Sequence, residues 1–383
     1  MPAKSDNKII CAMSGGVDSA VAALLLLRQG HRVEGLHMTN WDDDDGYCTA
    51  ARDLRDARQT CSDLGIPLHH VNFAAEYREQ VFADFLRGYA SGDTPNPDVL
   101  CNREIKFGVL LDHAIRLGGE RIATGHYARV TRDGRLLKGV DPDKEQSYFL
   151  HQVPRSALQR ALCPLGESRK ADVRRLANEA GLAVHDKPGS TGICFIGERP
   201  FREFLSRFLP ARPGDIRTPE GRSVGLHPGL PYYTLGQRQG LGIGGRAGGG
   251  GEPWFVAGKD RENNVLIAVQ GRSHPLLWSG GLNAGPIHWI GGEPPALGGG
   301  ELRCRVKTRY RQRDLNCTIR HHRDGLEVRF EAPQWAVTPG QYAVFYVDDE
   351  CLGGGPIRHA LKHETGEPGD VRPPVADPAG APL

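Results

Sequence analysis

Ser14-Gly15-Gly16-Val17-Asp18-Ser19 stands between an apolar run, Ile9-Ile10-Cys11-Ala12-Met13, and a helix-forming one that extends from Ala20 to Leu27. The order strand, glycine turn, helix aims the free N–H groups of a helix start, and the positive end of its dipole, at one spot. Such a spot binds an anion. Gly15 and Gly16 allow close backbone approach and positive φ, while the Ser14 and Ser19 hydroxyls and Asp18 stand ready to cap the helix or meet phosphate and a metal. The lysine of G-x-x-x-x-G-K-[ST] is missing and G-x-G-x-x-G is absent, so neither common nucleotide signature applies. On Gly-Gly alone, an ordinary tight turn is an equal reading.

Outward from this turn, short apolar runs alternate with helical ones. Residues 31–38 read as a second strand, 49–64 as a helix closed by Gly65, 67–73 as a third strand, 74–88 as helix and 122–129 as a fourth strand. That alternation predicts an α/β fold with a parallel sheet, helices on both faces, and ligands beyond the carboxyl ends of the strands. Ser14 and Met38 fall at such ends, and Gly125 lets a ligand approach the end of the fourth strand. Residues 168–177 form a basic amphipathic helix that closes the core and turns its charges to solvent or RNA. From Arg212 the texture changes to short strands and glycine-proline turns, with a last β unit from Trp278 to Gly355. Residues 244–251 read as a glycine-rich linker, because no helix follows them.

A chain of 383 residues implies two or three domains. With 39% hydrophobic and 25% charged residues it has ample material for a packed core. No apolar run approaches membrane-spanning length and the first residues resemble no signal peptide, so a cytoplasmic protein with no membrane partner is expected. Nine cysteines with no C-x-x-C pair favour reduced thiols over a disulfide framework or a zinc site. A net charge of +2 excludes global attraction to polyanions, so a nucleic-acid partner needs a local basic surface. Arg303, Arg305, Lys307, Arg309, Arg311 and Arg313 alternate with other residues and, on one strand, would form such a stripe. Tyr310 within it is suited to stacking on an RNA base.

Two thiols stand out from the nine. In Thr94-Pro95-Asn96-Pro97-Asp98-Val99-Leu100-Cys101-Asn102, Asn96 reads as a helix cap and Pro97 as the first helical residue, which puts Asp98 and Cys101 on one helical face. The plainer reading is that Asp98 only favours a helix start and Cys101 is a small buried hydrophobe. Cys194 lies in Gly189-Ser190-Thr191-Gly192-Ile193-Cys194-Phe195-Ile196-Gly197, where glycines on both sides predict a mobile loop. A lone cysteine there is more often buried and inert.

The string Ser14 to Ser19 resembles the PP-loop of the ATP pyrophosphatase superfamily. Asn96-Pro97-Asp98-x-x-Cys101-Asn102-x-x-Ile105-Lys106-Phe107, Lys144-Glu145-Gln146-Ser147-Tyr148-Phe149-Leu150, Gly192-Ile193-Cys194-Phe195-Ile196-Gly197-Glu198-Arg199 and Arg309-Tyr310-Arg311-Gln312 resemble the tRNA-specific 2-thiouridylases. Glu145 departs from that family's Asp by one methylene. The resemblance implies a PP-loop catalytic domain of the adenine nucleotide α-hydrolase type (1–205), a small mainly β tRNA-binding domain (206–277) and a C-terminal β-barrel-like domain (278–360), while the proline-rich composition of 361–383 reads as a disordered tail. It implies that ATP, with Mg²⁺, binds at Ala12, Met13, Ser14, Gly15, Gly16, Val17, Asp18, Ser19, Met38 and Gly125. Contacts to tRNA would come from Asn96, Pro97, Asp98, His126, Lys144, Glu145, Gln146, Arg309, Tyr310 and Gln341.

The chemistry so implied is adenylation of C2 of the wobble uridine, then sulfur transfer from a persulfide on Cys194. Cys101 acts as nucleophile, Asp98 as acid or base, and a Cys101–Cys194 disulfide is left behind. Bare sequence treats Met38 as core and His126 as a satisfied polar residue. The Asp98 carboxylate opposes ionisation of Cys101, so a nearby cation or the helix dipole must offset it. Implied partners are tRNA accepting Lys, Glu or Gln and a cysteine desulfurase or sulfur-relay protein, acting on a monomer. Rival readings are a cytidine-thiolating PP-loop enzyme and a nucleotide-sensing RNA-binding protein without catalysis. The first usually holds an iron–sulfur cluster on C-x-x-C pairs, and Asp98-x-x-Cys101 argues against a cluster here.

Overall fold

The structure is a computed structural model and describes residues 8–41, 50–188, 195–196, 200–210, 212–243, 251–295, 300–323 and 325–362. Ile9 and Cys11 of strand β1 (Lys8–Ala12) point to one face of a sheet and Ile10 to the other, and all three are buried. A strand covered on both faces needs that composition. Beside it lie β2 (Arg32–Thr39), β3 (Leu68–Asn72) and β4 (Arg121–Ala123). A hairpin, β5 (Ala128–Val130) and β6 (Leu136–Lys138), separates these from β7 (Ala161–Leu162). The sheet runs β3-β2-β1-β4-β7, parallel throughout. Its order reverses between β1 and β4, where a crevice opens above the strand ends.

Helix α1 (Val17–Arg28) buries Ala20, Val21, Ala22 and Ala23 against one face, together with Val173 and Ala177 of the helix Lys170–Glu179. On that face also lies α2 (Ala50–Asp63), through Ala57 and Cys61. The other face carries α3 (Ala74–Tyr77), a π-wound stretch Arg78–Phe82 and α4 (Ala83–Ala90). Trp41, Tyr77, Phe82, Phe85, Phe195 and Phe204 form an aromatic nest there.

The expected strand over 122–129 breaks. It leaves the parallel sheet after Ala123, crosses the strand ends through Thr124 to Tyr127, and resumes as β5 in a different sheet. The reason is local: Gly125 folds over α1, where an added Cβ would stand 2.8 Å from the Asp18 carbonyl carbon and 2.9 Å from the Ser19 nitrogen.

A second sheet, ordered β10-β11-β8-β9, is built from β8 (Gly214–Arg217), β9 (Ser223–His227), β10 (Trp254–Asp260) and β11 (Val265–Gln270). A barrel follows, from β12 (Trp278–Ala284), a two-residue β13 (His288–Trp289), β14 (Glu301–Lys307), β15 (Leu315–His322), β16 (Gly325–Trp335), β17 (Tyr342–Val347) and β18 (Glu350–Lys362). Its path β12-β16-β15-β14-β17-β18 closes where β12 pairs with β18. Val306, Ile319, Val328 and Phe345 fill the interior. The start of β18 also pairs with β6, Glu350 opposite Leu137 and Cys351 opposite Leu136, so the first domain lends a hairpin to the barrel's sheet.

The basic stripe does not form as one strand. β14 ends at Lys307, and Thr308 donates its N–H to Gln312 Oε1 at 2.7 Å, closing a turn in which Arg311 adopts φ +62. Lys307 is buried, and Arg305 is paired with Asp314 at 3.4 Å and Asp348 at 3.6 Å. Charge alternation alone did not reveal that two of the six cations are neutralised by acids brought from elsewhere. Residues 244–250 of the glycine-rich segment and residues from 363 onward lie outside the described residues, while Leu361 and Lys362, expected in the disordered tail, belong to β18. Among the described residues, no helix is long and apolar enough to cross a membrane.

Candidate active site at the sheet's switch point

The turn after β1 is tied by its own serines. Ser14 N–H donates to Ser19 Oγ at 3.2 Å, Ser19 Oγ donates to the Gly16 carbonyl at 3.0 Å, and the two hydroxyls are 3.1 Å apart. Gly15 has φ +76, and a Cβ there would stand 2.2 Å from the Asp53 carbonyl oxygen, so only glycine fits. Gly16 caps α1 with no side-chain hydrogen bond. The first-turn N–H groups are thus left for a ligand, which fits an ATP phosphate. Met13 is buried at the end of β1, Ala12 and Met38 are half-buried, and His37 Nδ1 lies 2.7 Å from the Met13 carbonyl.

Asp18 and the neighbouring acids are already engaged. Lys170 Nζ reaches the two Asp18 oxygens at 2.6 and 2.8 Å, and the Tyr127 hydroxyl donates to Asp18 at 2.6 Å. Lys187 donates to the Gly15 carbonyl at 2.9 Å, to Asp53 at 2.9 Å and to Asp56. Among the described residues, no group of three or more His, Cys, Asp or Glu side chains converges to hold a metal. Lys170, expected to face solvent or RNA, faces the nucleotide turn instead. Neither it nor Lys187 carried a local signal, since each meets its acid more than a hundred residues away in sequence.

Because Gly125 packs on the backbone of α1, Gly125→Ala should cost about 1–3 kcal/mol of overpacking. We expect ATP affinity, measured by titration calorimetry, to fall roughly five- to hundred-fold on that scale. Unchanged affinity would place the nucleotide elsewhere.

The second half of the site is helical. Asn96 caps α5 (Pro97–Leu100), its Oδ1 accepting from the Asp98 N–H at 3.2 Å, with Pro97 in the first helical position as the spacing predicts. From Cys101 to Val109 the helix winds as a π-helix, with a kink at Gly108. An i→i+5 winding departs from the α-helical register that sequence spacing assumes. It continues as α6 (Leu110–Arg116).

Cys101 is buried, and the amide of Asn102 donates to the Phe149 carbonyl at 3.2 Å. Burial pushes the half-buried Asp98 carboxyl above its ordinary value, and the Lys106 charge pulls it partway back. Burial, helped by Lys106, also lowers the His126 pKa well below its ordinary value, and its Nδ1 lies 2.8 Å from the Thr124 hydroxyl. The His126 ring lies 5.9 Å from Phe107, so residues 125–126 touch α1 on one side and the helix that bears Asp98 and Cys101 on the other.

The remaining expected RNA contacts fall into two groups. Lys144, Gln146, Arg309 and Tyr310 are half-buried and brought together by ring contact of Phe149 with Tyr310, centroids 4.4 Å apart. Asn96, Pro97, His126, Glu145 and Gln341 are buried. Glu145 accepts from Lys307 at 2.8 Å, Gln146 accepts from the Tyr127 N–H at 3.0 Å, and Gln341 donates to the Thr94 carbonyl at 2.7 Å. Cys194 and the glycines on either side of it lie outside the described residues. Phe195, next in sequence, is buried with its ring 4.9 Å from Phe85 and 5.1 Å from Phe82.

Residues 7–198 match the profile of the tRNA methyl transferase HUP domain, 202–270 that of the tRNA methyl transferase PRC-barrel domain and 279–357 that of the aminomethyltransferase beta-barrel domain. The tRNA-specific 2-thiouridylase MnmA of Chromohalobacter salexigens is 59% identical over 362 residues, covering 93% of this chain and 94% of its own length. The protein of the same name from Methylococcus capsulatus is 60% identical over 355 residues, covering 91% and 95%. That from Marinobacter nauticus is 54% identical over 383 residues, covering 95% and 97%.

Proposed function

The chain belongs to the tRNA-specific 2-thiouridylase family, and on that premise we propose which of its residues carry the reaction. The activity is ATP-dependent replacement of the C2 oxygen of a tRNA uridine by sulfur, at wobble position 34. ATP lies with its phosphates on the start of α1 and its base toward Met38. The uridine enters between this turn and Asp98. Its C2 oxygen attacks the α phosphorus, pyrophosphate leaves, and C2 becomes an O-adenylated electrophile.

Asp98 takes the uridine N3 proton as that oxygen attacks, a role suited to a carboxyl whose pKa burial has raised. Cys101 thiolate then attacks the inner sulfur of a Cys194 persulfide, forming the Cys101–Cys194 disulfide and releasing hydrosulfide. The sulfide adds to C2 and AMP departs. In the alternative order the persulfide's terminal sulfur attacks C2 and Cys101 resolves the product, leaving the same disulfide for an external thiol to reduce. Lys106 is the cation that offsets Asp98 beside the thiol.

Among the described residues Mg²⁺ finds no carboxylate cluster, and Asp18, Asp53 and Asp56 are held by lysines. It would arrive on the ATP phosphates, and the steps above run on protein groups. Sulfur comes from a cysteine desulfurase or relay protein, the acceptors are tRNAs for Lys, Glu and Gln, and the enzyme works as a cytoplasmic monomer without an iron–sulfur cluster.

The observation that carries this reading is the bridge at 125–126, which joins the phosphate turn to the helix bearing Asp98 and Cys101. The test is mass spectrometry of tRNA from a strain lacking the gene, where wobble 2-thiouridine should disappear, and pyrophosphate exchange by the purified protein, which tRNA should stimulate. Thiocytidine lost instead, or exchange indifferent to tRNA, would favour the rivals.

Lys106→Met offers a sign test. Lys106 lowers the Asp98 pKa, so its removal should raise that pKa and move the acid limb of the rate–pH profile to higher pH. An acid limb that stays in place would exclude Asp98 as the base.

A further inference from the structure

The chain that enters the catalytic helix is gripped from both accessory domains. From β10, Lys259 Nζ donates to the Gly92 carbonyl at 3.0 Å, and the Thr234 hydroxyl lies 3.3 Å from that of Thr94. From the barrel, the Pro339 carbonyl accepts the Thr94 N–H at 3.0 Å and the Gln341 amide donates to the Thr94 carbonyl at 2.7 Å. Both backbone groups of Thr94 are therefore bonded to the last domain. The fit is close enough that a Cβ on Gly340 would stand 2.7 Å from the Thr94 nitrogen. Behind the turn, Pro95 packs on Gly88, where a Cβ would meet its Cγ at 2.8 Å.

Two residues after Thr94 comes the Asn96 cap, whose side chain holds the Asp98 N–H. The placement of Asp98, and of Cys101 one turn later, is thus set by hydrogen bonds that originate outside the catalytic domain. A desolvated lysine is a costly way to hold a carbonyl, and burial depresses the Lys259 pKa to about 8. The Gln341 amide is buried on Thr94 and points away from solvent. A side chain so enclosed is poorly placed for direct RNA contact.

We propose that Gln341 and Lys259 are positioning residues, which act through Thr94 and Gly92 to place Asp98 and Cys101 according to how the two accessory domains sit. RNA docked on those domains is then coupled to the catalytic helix by the turn at 92–94. This inference rests on the assignment of Asp98 and Cys101 proposed above.

The test compares Gln341→Glu, which keeps size but removes the donor, and Lys259→Met with the intact enzyme, using whole tRNA, ATP and a cysteine desulfurase with cysteine as the sulfur source. A misplacement of about 1 Å at a reacting group costs up to about 10²-fold in rate. We expect kcat for thiolation to fall by roughly ten- to hundred-fold on that basis, with the Kd for tRNA unchanged and ATP binding intact. A raised Kd with full kcat would make Gln341 an RNA contact, and wild-type kcat in both variants would also overturn the proposal. Should Gln341→Glu fold poorly, Lys259→Met, with Lys259→Arg as the donor-retaining rescue, decides the matter. Cys101→Ser run alongside separates the two levels: if it stays active the site assignment fails, and if it is dead while Gln341→Glu is normal only this inference fails.

Discussion

Cys101→Ser is expected to abolish thiolation, by a factor on the order of 10³ or more, while tRNA-stimulated pyrophosphate exchange persists. A serine hydroxyl at this position is not ionised near neutrality and is a poor nucleophile toward sulfur, whereas adenylation of the uridine precedes any sulfur chemistry. The two readouts should therefore part. Because Cys101 is only 2% exposed, burying the more polar serine hydroxyl there carries a penalty of its own. Cys101→Ala avoids that penalty and should show the same split. Loss of both activities in a folded Cys101→Ala enzyme would give the thiol a part in adenylation, and retention of both would remove it from the chemistry.

The second large effect concerns the ion pair beneath the barrel. Lys307 and Glu145 are 9% and 5% exposed and 2.8 Å apart. The other Glu145 oxygen accepts the Ser147 N–H, and the Ser147 hydroxyl lies 3.1 Å from that of Tyr346. The Lys307 and Lys138 ammonium groups lie 5.4 and 4.5 Å from the centroid of the Tyr346 ring. Lys307→Met strands a carboxylate in this enclosure, and losing one partner of a buried pair costs about 3–5 kcal/mol.

Replacing both partners removes the stranded charge, so Glu145→Gln with Lys307→Met should recover most of that loss. Chemical denaturation of the single and double variants closes the cycle. The pair also ties residues 144–146 to 309–312, so tRNA affinity should fall in the single variants. A Lys307→Met protein as stable as the parent would show that the carboxylate is relieved by solvent.

What could be read from the chain was local. Alternation of apolar and helical runs is enough to predict the parallel sheet, because each strand declares its burial through Ile9, Ile10 and Cys11. The cap at Asn96 and the glycine requirement at Gly15 are likewise written within a few residues. The break after Ala123 was not legible: it depends on Gly125 meeting α1, a contact made across more than a hundred residues.

The same holds for the basic stripe. Its alternation is that of a strand, and what bends it is the Thr308–Gln312 closure and the pull of Glu145 and Asp314 on Lys307 and Arg305. The resemblance points to Glu145 and Gln341 as RNA contacts, whereas the fold encloses both, Glu145 on Lys307 and Gln341 on Thr94. The π winding from Cys101 to Val109 has no sequence period of its own.

The shared hairpin has a consequence in the order of synthesis. The edge of β6 waits for Glu350 and Cys351, which leave the ribosome roughly 210 residues after Leu137. At about 5–20 residues per second that is a delay of roughly 10–40 s, during which a nascent polypeptide carries a raw strand edge into a crowded cell. A message cut before codon 350 would therefore yield a sticky fragment for chaperones and proteases, not a smaller working enzyme.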